Sequence, residues 1–389
     1  MKTISGLLAL TIQFPLCALA QAPSPAAATV PSPTAPAVPA PAPAPTGPPY
    51  LSPEVHADRK VTFRIAAPKA GEVTFTGDWI PNEKPKLVKG DKGIWQVTLG
   101  PLPPGLYIYG FNVDGVAMPD VLNPAVKMRA RTVGSLVTIP GEAPGFWDAK
   151  DVPHGTVEIN WHKSTVVGET RPVWIYTPPG YDKDRGRKYP VLYLLHGRNA
   201  TAADWTQAGL ANFILDNLLA EKKAVAMIVV MPLGHVIPYD APTPDNNDVF
   251  KNYLIKEVIP MVESRYRALP KREGRAVFGL SMGGAQALGI GLGRLDLFSQ
   301  VGTYSAGSTP GDLEKLIEPA LKETSTTNKQ LKLFWIGCGR QDALFARNEA
   351  LSKTLGDRQV KHTFRASDGV HNWTIWRQYL FETAPLMFR

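Results

Sequence analysis

The sequence predicts an α/β fold with a mostly parallel central sheet, preceded by a small all-β sandwich of immunoglobulin-like type. In residues 150–389, continuous apolar runs alternate with helical stretches, which is typical of a parallel sheet buried between helices. In residues 50–141, short runs of alternating apolar and polar residues are separated by turns rich in Gly and Pro, which indicates a sandwich. Residues 21–49 are almost entirely Pro, Ala, Ser and Thr, a composition that cannot bury a core, and we expect a linker there.

Residues 1–20 have the features of a secretory signal peptide. A positive charge at Lys2 precedes the apolar run 7–19, and a small-x-small cleavage signal ends at Ala20. The run is too short for a stable membrane span, and no later stretch is long and apolar enough to form one. We therefore expect a secreted protein, extracellular or periplasmic, in which the linker 21–49 acts as an extended spacer.

Charge and cysteine content argue against several classes of protein. The chain has 389 residues and a formal net charge of +8, but its Lys and Arg residues are scattered, so we expect no nucleic-acid partner. Cleavage after Ala20 leaves Cys338 as the sole cysteine, inside an apolar run, which predicts a buried structural thiol and no internal disulfide. Since we find no metal-binding or nucleotide-binding motif, no metal and no cofactor is implied. The sequence carries no signal for an oligomeric state.

The sandwich is predicted from four alternating runs, at 61–65, 73–76, 95–99 and 107–113. This part of the chain resembles the early-set immunoglobulin-like domains and carbohydrate-binding module family 48, in the stretches 61–68, 77–79, 93–95 and 105–111. The resemblance implies a candidate carbohydrate-binding module in residues 50–141, with Trp79 as an exposed aromatic that stacks on sugar. The alternative, which we favour, is that Trp79 and Trp95 pack the sandwich or its contact with the next domain.

Strands and helices alternate through the rest of the chain, after a β-rich entry at 156–176. The predicted strands are 189–195, 226–232, 275–280, 331–337 and 360–365, and the predicted helices are 213–222, 249–266, one from 282, one after 337 and one from 374. Ligands in such sheets bind at the carboxyl ends of the parallel strands, so the functional residues are expected in the loops that follow the strands.

A nucleophile motif lies at one of these strand ends. Gly279-Leu-Ser281-Met-Gly283 matches the G-x-S-x-G elbow of α/β-hydrolases, in which a strand turns sharply into a helix and exposes the serine oxygen. The two glycines permit the close backbone approach that such a turn requires. The sequence therefore predicts Ser281 as the nucleophile, with the Met282 amide at the helix N-terminus as one donor of an oxyanion hole.

The general base is predicted by elimination among the seven histidines. In α/β-hydrolases the serine, the acid and the histidine follow one another in that order, and only His362 and His371 come after Ser281. His362 lies inside a predicted strand, whereas His371 lies in the loop after the last strand. We therefore predict His371 as the base; the alternative is a turn histidine that caps the final helix.

The acid must orient the imidazole and stabilise its charged form. Asp342 directly follows an apolar strand, on the loop next to that of His371. Asp368 would have to curl back along its own loop, and Asp357 ends a predicted helix. We therefore predict Asp342, whose alternative role is that of a solvated cap for the helix that follows.

The other oxyanion donor is expected after the first long strand. His196-Gly197 stands where α/β-hydrolases donate this amide, which would be that of Arg198 or of Gly197. Aromatic side chains are expected near the mouth of the site, where an aromatic acyl group would stack on them. The candidates for substrate binding are Trp205, Tyr304 and Trp373, with Tyr239 and Trp376 nearby, and we expect two of these residues to line the site. Their alternative role is ordinary core packing.

These motifs carry a resemblance to a known family. From about residue 151 to the end, the chain resembles the esterase D-like hydrolases, and it looks closest to carbohydrate esterase family 1, the feruloyl and acetylxylan esterases. The matching stretches are 151–155, 176–181, 194–197, 279–284 and 369–373. The pairing with an early-set domain is similar to that of some two-domain feruloyl esterases and of iron-enterobactin esterases.

The resemblance implies a secreted serine carboxylic-ester hydrolase that acts on ester-decorated plant-wall polysaccharide or oligosaccharide, with feruloyl esterase as the first expectation. The alternatives are an acetylxylan esterase, an enterobactin-type siderophore esterase, an acyltransferase and a non-catalytic carbohydrate-binding protein.

Overall fold

The fold is taken from a computed structural model, which describes residues 50–236, 243–307 and 312–389. The predicted signal peptide (1–20) and linker (21–49) lie outside the described residues.

The N-terminal part is an all-β sandwich, in which every strand pairing is antiparallel. One sheet has the order β1-β2-β5-β4 and the other has the order β3-β6-β9-β8, with β7 paired to β6. The described strands are β1 (Glu54–Val55), β2 (Val61–Ala66), β3 (Val73–Gly77), β4 (Val88–Lys89), β5 (Ile94–Leu99), β6 (Gly105–Val113), β7 (Val116–Met118), β8 (Val126–Met128) and β9 (Val133–Ile139).

Tryptophan packing accounts for part of the sandwich core. The ring of Trp79 lies 6.2 Å from that of Phe63 and 5.3 Å from that of Tyr107, and the indole of Trp95 is buried and donates to the Ala67 carbonyl. The half-buried Trp79 and the buried Trp95 therefore both pack against the sandwich core, as the favoured alternative predicts, and sugar binding by residues 50–141 stays a prediction.

The C-terminal part is built on one mixed sheet of order β10-β11-β13-β12-β14-β15-β16-β17. Its strands are β10 (Thr156–Lys163), β11 (Thr170–Thr177), β12 (Val191–Leu195), β13 (Ile228–Pro232), β14 (Arg275–Leu280), β15 (Gln300–Tyr304), β16 (Leu333–Gly339) and β17 (Thr363–Ser367). The pairings of β11 with β10 and with β13 are antiparallel, and the other pairings are parallel. This sheet confirms the predicted mostly parallel α/β-hydrolase architecture.

Helices cover both faces of this sheet. They are α1 (Asp204–Gln207), α2 (Ala211–Ala220), α3 (Thr243–Tyr253), α4 (Ile259–Arg265), α5 (Met282–Gly293), α6 (Asp312–Lys322), α7 (Thr324–Gln330), α8 (Phe345–Asp357) and α9 (Trp373–Thr383), with a π-helical turn (Leu254–Val258) between α3 and α4. Successive residues of β12 point to opposite faces, because side chains alternate along a strand. Tyr193 packs with α3 to α6 and α8, whereas Leu192 packs with α1, α2 and α9.

Four strands begin two or three residues later than predicted. β12 begins at Val191 rather than 189 and β13 at Ile228 rather than 226, while β16 begins at Leu333 rather than 331 and β17 at Thr363 rather than 360. His362 therefore precedes the strand, which corrects the expectation that it lies inside it. Cys338 is buried in β16 and unpaired, so the prediction of a buried structural thiol is confirmed.

The sandwich shares a hydrophobic cluster with the α/β part, within one compact unit that spans residues 48–389. Leu106, Ile108 and Leu136 of the sandwich pack in the cluster that contains α1, α2 and α9. Arg377 of α9 is also buried at this contact, where its guanidinium donates to the carbonyls of Leu106 and Ala208. The two parts therefore share one cluster of buried side chains, while most of the sandwich core forms a cluster of its own.

Within the three described ranges, no helix combines the length and the apolar composition that a membrane crossing requires.

Candidate active site

Ser281 lies at a sharp turn between β14 and α5. Its backbone has φ 52° and ψ −119°, which is an unfavourable conformation for a residue with a Cβ atom and is typical of functional turns. Two backbone hydrogen bonds hold the turn: the Ser281 amide donates to the Tyr304 carbonyl at 2.9 Å, and the Gly307 amide donates to the Ser281 carbonyl at 2.9 Å. The strained serine is thus fixed from the neighbouring strand β15.

Gly279 and Gly283 of the motif have no room for a side chain, because other backbone atoms lie close to their Cα atoms. A Cβ atom on Gly279 would lie 2.3 Å from the carbonyl oxygen of Gly283, and a Cβ atom on Gly283 would lie 2.5 Å from the carbonyl oxygen of His196. Any larger residue at either position would push α5 away from β14 or from the loop after β12. The spacing that predicted the elbow therefore reflects the local packing of these backbones.

The structure brings Ser281, His371 and Asp342 together. The Nε2 atom of His371 lies 3.1 Å from the Oγ atom of Ser281, and its Nδ1 atom lies 2.8 Å from Oδ2 of Asp342. The three residues follow β14, β17 and β16, at the carboxyl ends of parallel strands. This is the edge of the sheet where the sequence predicted the functional residues.

The buried carboxylate of Asp342 accepts several hydrogen bonds. Its side chain has no exposed surface, and Oδ1 accepts from the Leu344 amide at 2.8 Å. Burial raises the pKa of Asp342, but the hydrogen bond and charge of His371, together with the Leu344 amide and the Ser305 hydroxyl, outweigh it and leave the pKa below its ordinary value. The carboxylate therefore accepts from His371 Nδ1–H and leaves Nε2 as the acceptor toward Ser281.

The alternative acids and the alternative base have other partners. Asp368 has a side chain that is 90% exposed, and it lies 3.6 Å from Arg340. Asp357 is the last residue of α8, and His362 is hydrogen-bonded to Ser352 and to the Val360 carbonyl. The cap of α9 is supplied by Asn372, whose Oδ1 accepts from the Thr374 amide, and not by His371.

Ser305, which the sequence analysis did not select, and Trp376, which it placed near the expected mouth of the site, support the histidine and the aspartate. The Trp376 ring lies edge-on to the His371 ring, with centroids 4.8 Å apart, and its Nε1 donates to Ser305 Oγ at 3.2 Å. The Ser305 hydroxyl in turn donates to Asp342. A polar residue directly after the buried strand β15 was the sequence signal for Ser305, because this strand ends at the same sheet edge.

The loop after β12 carries the candidate oxyanion amides. His196 is buried; its Nδ1 donates to the Gly197 carbonyl at 2.8 Å, and its Nε2 accepts from the Gly234 amide at 2.8 Å. Burial lowers the pKa of His196, consistent with a neutral ring in these roles. Since C=O and N–H point in opposite directions in a trans peptide, the bond to Gly197 fixes the direction of the Arg198 N–H. A Cβ atom on Gly197 would lie 3.2 Å from Ser281 Cβ, so this peptide lies beside the serine.

Trp205, Tyr304 and Trp373, the three aromatic residues predicted to bind the acyl group, are core residues instead, and Tyr239 lies outside the described residues. Trp205 and Tyr304 have no exposed surface, and Trp373 is 4% exposed. Trp205 donates to the Leu195 carbonyl, and the Tyr304 hydroxyl lies 2.5 Å from Thr383 Oγ1. Their rings pack in a buried cluster with residues of α1, α2 and α9, which corrects the prediction that they line the acyl site.

In the described ranges, no group of three or more His, Cys, Asp or Glu side chains is arranged to hold a metal ion.

Comparison with known proteins places this architecture in a family. The family model described as "Putative esterase" matches residues 164–387. A protein of Xylanibacter ruminicola named endo-1,4-beta-xylanase/feruloyl esterase is 29% identical over 347 residues, which cover 87% of this chain and 46% of the relative. The chain therefore spans about half the length of that relative. An acetyl esterase of Caldicellulosiruptor saccharolyticus is 25% identical over 220 residues, which cover 49% of this chain and 80% of the relative.

Solved structures show the same fold. A CE1 ferulic acid esterase of the anaerobic fungus Anaeromyces mucronatus is 25% identical with a TM-score of 0.55, and the match covers 63% of this chain and 96% of that one. The enterobactin esterase of Shigella flexneri is 20% identical with a TM-score of 0.66, and covers 84% of this chain and 92% of that one. The second likeness concerns the fold alone. With its family model matched over more than half of its length, the chain belongs to the Esterase family, and its C-terminal part is a carboxylic ester hydrolase domain.

Proposed function

We propose that this protein is a secreted serine esterase that removes feruloyl groups from plant-wall polysaccharide, with Ser281, His371 and Asp342 as its catalytic triad. The observation that carries the proposal is the position of His371, whose two ring nitrogens lie 3.1 Å from the Ser281 hydroxyl and 2.8 Å from the Asp342 carboxylate. This arrangement activates a serine as a nucleophile.

The proposed reaction has two steps. In the first, His371 Nε2 takes the proton of Ser281 while Oγ attacks the ester carbonyl carbon, and the amides of Met282 and of Arg198 or Gly197 stabilise the tetrahedral oxyanion. His371 then gives the proton to the leaving alcohol as its C–O bond breaks. In the second step, a water that loses its proton to His371 attacks the acyl-enzyme, and Ser281 is expelled and reprotonated. One ester and one water yield one acid and one alcohol.

The names of relatives support the feruloyl group as the substrate class. The matched relative from Xylanibacter ruminicola combines xylanase and feruloyl esterase in its name, and the solved structure from Anaeromyces mucronatus is a ferulic acid esterase. A secretory signal at 1–20 would deliver the enzyme to a polymer outside the cytoplasm.

A second candidate is deacetylation of xylan, supported by the likeness to the acetyl esterase of Caldicellulosiruptor saccharolyticus. Acetyl and feruloyl esters place the same carbonyl at Ser281 and differ in the size of the acyl group. The choice between them therefore depends on the space beside the nucleophile, where Gly307 and Leu344 lie.

The test compares hydrolysis of methyl ferulate and of a small acetyl ester by the wild type and by Ser281→Ala. The proposal predicts a higher kcat/KM on the ferulate and a loss of about 10⁴-fold or more in the variant. Ser264→Ala, at an exposed serine of α4, is the matched control and should keep wild-type rates. Preference for the acetyl ester would establish the second candidate, and unchanged activity in Ser281→Ala would refute the triad.

A further inference from the structure

Lys127 is a sandwich residue whose charge is buried against the α/β part. Its neighbours on β8, Val126 and Met128, are exposed, whereas Lys127 points to the opposite side of the strand. Its ammonium forms an ion pair with Asp204, the first residue of α1, and the two side chains are only 4% and 1% exposed. This pair thus crosses the contact between the two parts of the chain.

Asp204 connects that ion pair to the loop that contains the candidate oxyanion amides. Its Oδ2 faces Lys127, while Oδ1 accepts from both the amide and the hydroxyl of Thr201, each at 2.9 Å. The Asp204 amide also donates to the Thr201 carbonyl at 3.1 Å. The turn 201–204 is therefore closed on the aspartate, and it forms the distal end of the loop 196–203.

The loop 196–203 is thus fastened at both ends. At its start, His196 is bonded to the Gly234 amide, as described above. At its end, the loop is held by the Asp204 carboxylate, and the positive charge that pairs with this carboxylate belongs to Lys127 of the sandwich. Between these ends lie Gly197 and Arg198, which the proposed reaction uses to stabilise the oxyanion.

The sandwich also contacts the other loop beside Ser281. The side-chain amide of Asn372, next to His371, donates to the Asp78 carbonyl at 3.3 Å. Arg377, one turn further along α9, donates to the Leu106 carbonyl at 3.0 Å. The sandwich therefore contacts both the histidine loop, through Asn372, and the end of the oxyanion loop, through Asp204.

A buried ion pair is costly to desolvate, and removal of one partner leaves an uncompensated charge. Burial lowers the pKa of Lys127, and the nearby Asp204 carboxylate opposes that shift. If the charge of Lys127 were removed, the Asp204 carboxylate would lose its counter-charge and would bind water or a proton instead. Its two hydrogen bonds from Thr201 would then weaken.

We propose that Lys127 is a positioning residue for ester hydrolysis: through Asp204 it holds the loop 196–203 so that the oxyanion amides stay aligned with Ser281. The inference rests on the proposed function, because alignment matters only if a tetrahedral oxyanion forms at Ser281. The sandwich then contributes to the rate of the chemical step and not only to the binding of a polymer.

The test measures kcat, KM and the concentration of active sites in the full chain, with methyl ferulate and a small acetyl ester as substrates and a fluorophosphonate as the titrant. In Lys127→Met, kcat per titrated site should fall on the order of tenfold to 100-fold with KM within about twofold, because misaligned donors weaken the transition state more than the ground state. Lys127→Arg, which keeps the charge, should recover most of the rate. Lys86→Met removes an exposed sandwich lysine paired with Glu72 and should behave as the wild type.

A purely structural role for Lys127 predicts a different outcome. It would lower the number of titrated sites while leaving kcat per site unchanged, and that result would overturn the proposal. If Lys127→Met yields no folded protein, Thr201→Val decides the question, since it removes the hydroxyl bond to Asp204 without leaving a buried charge. A lower kcat per site in Thr201→Val supports the proposal, and an unchanged value overturns it. Failure of the proposed function itself would appear separately, as activity that persists in Ser281→Ala.

Discussion

The Nδ1 atom of His371 lies 2.8 Å from Oδ2 of Asp342, a carboxylate with no exposed surface. The pKa of Asp342 lies below its ordinary value because the bonds from His371, Leu344 and Ser305 outweigh the effect of burial. The carboxylate therefore stays charged throughout the neutral range, and in the proposed reaction it stabilises the imidazolium that forms when Ser281 loses its proton.

We predict that Asp342→Asn lowers kcat about 10³- to 10⁴-fold, because an amide that donates to Nδ1 would select the wrong histidine tautomer. Asp368→Asn is the matched control and should keep nearly full activity, since that side chain is 90% exposed. Steady-state kinetics on an ester that the wild type hydrolyses would check both. Near-normal activity in Asp342→Asn with a large loss in Asp368→Asn would reverse the assignment of the acid.

Gly307 limits the space beside the nucleophile. A Cβ atom at this position would lie 2.9 Å from Ser281 Oγ and 3.4 Å from Leu344 Cδ1. We predict that Gly307→Ala lowers kcat/KM about 10- to 100-fold, because the methyl group displaces the serine oxygen from its productive position. Gly356→Ala, in a helix with no atom near the added methyl, is the control. Equal kinetics in the two variants would show that Ser281 has more freedom than this structure implies.

Asp78 makes stability depend on pH. Burial raises its pKa from 3.8 to about 6, against the opposing effects of the Ile108 amide and of Arg377 and Arg129. Because the pKa of Asp78 is higher in the folded protein than in the unfolded chain, protonation of Asp78 favours the folded state. This contribution to the free energy of unfolding is complete below the unfolded pKa and is lost as pH rises through about 6.

We therefore predict that wild type loses stability relative to Asp78→Asn between about pH 4 and pH 7, by on the order of 2 to 3 kcal/mol in total. Urea unfolding of both proteins across this range measures the difference. A difference between the two that does not change with pH would mean that Asp78 titrates near its unfolded value.

The sequence predicted the geometry of the candidate triad because its determinants are local or topological. The turn at Ser281 is encoded in the glycines that flank it, and Asp342 and His371 follow from the rule that the ends of parallel strands meet at one edge. The carboxyl-end rule also applies to Ser305, although a single serine after an apolar strand is a weak signal by itself.

The remaining features depend on contacts between distant parts of the chain. Tyr304 is the last residue of β15 and Trp205 lies in α1, after the loop that follows β12, but an aromatic residue has the same sequence pattern whether it packs a core or lines a pocket. Lys127 gave no signal, because a lysine between two apolar residues in a short strand is ordinary for a surface. Its partner Asp204 is 77 residues away, and only the packed structure shows that the pair is buried.

The most direct test of the account is detection of the acyl-enzyme. Rapid mixing of the protein with a chromogenic ester should give a burst of alcohol that equals the active-site concentration, and intact-mass and peptide analysis of the quenched protein should place the acyl group on Ser281. A burst with the acyl group on Ser281, absent in Ser281→Ala, is the predicted result. Turnover without a covalent intermediate, or an acyl group on another residue, would contradict the assignment of Ser281 as the nucleophile.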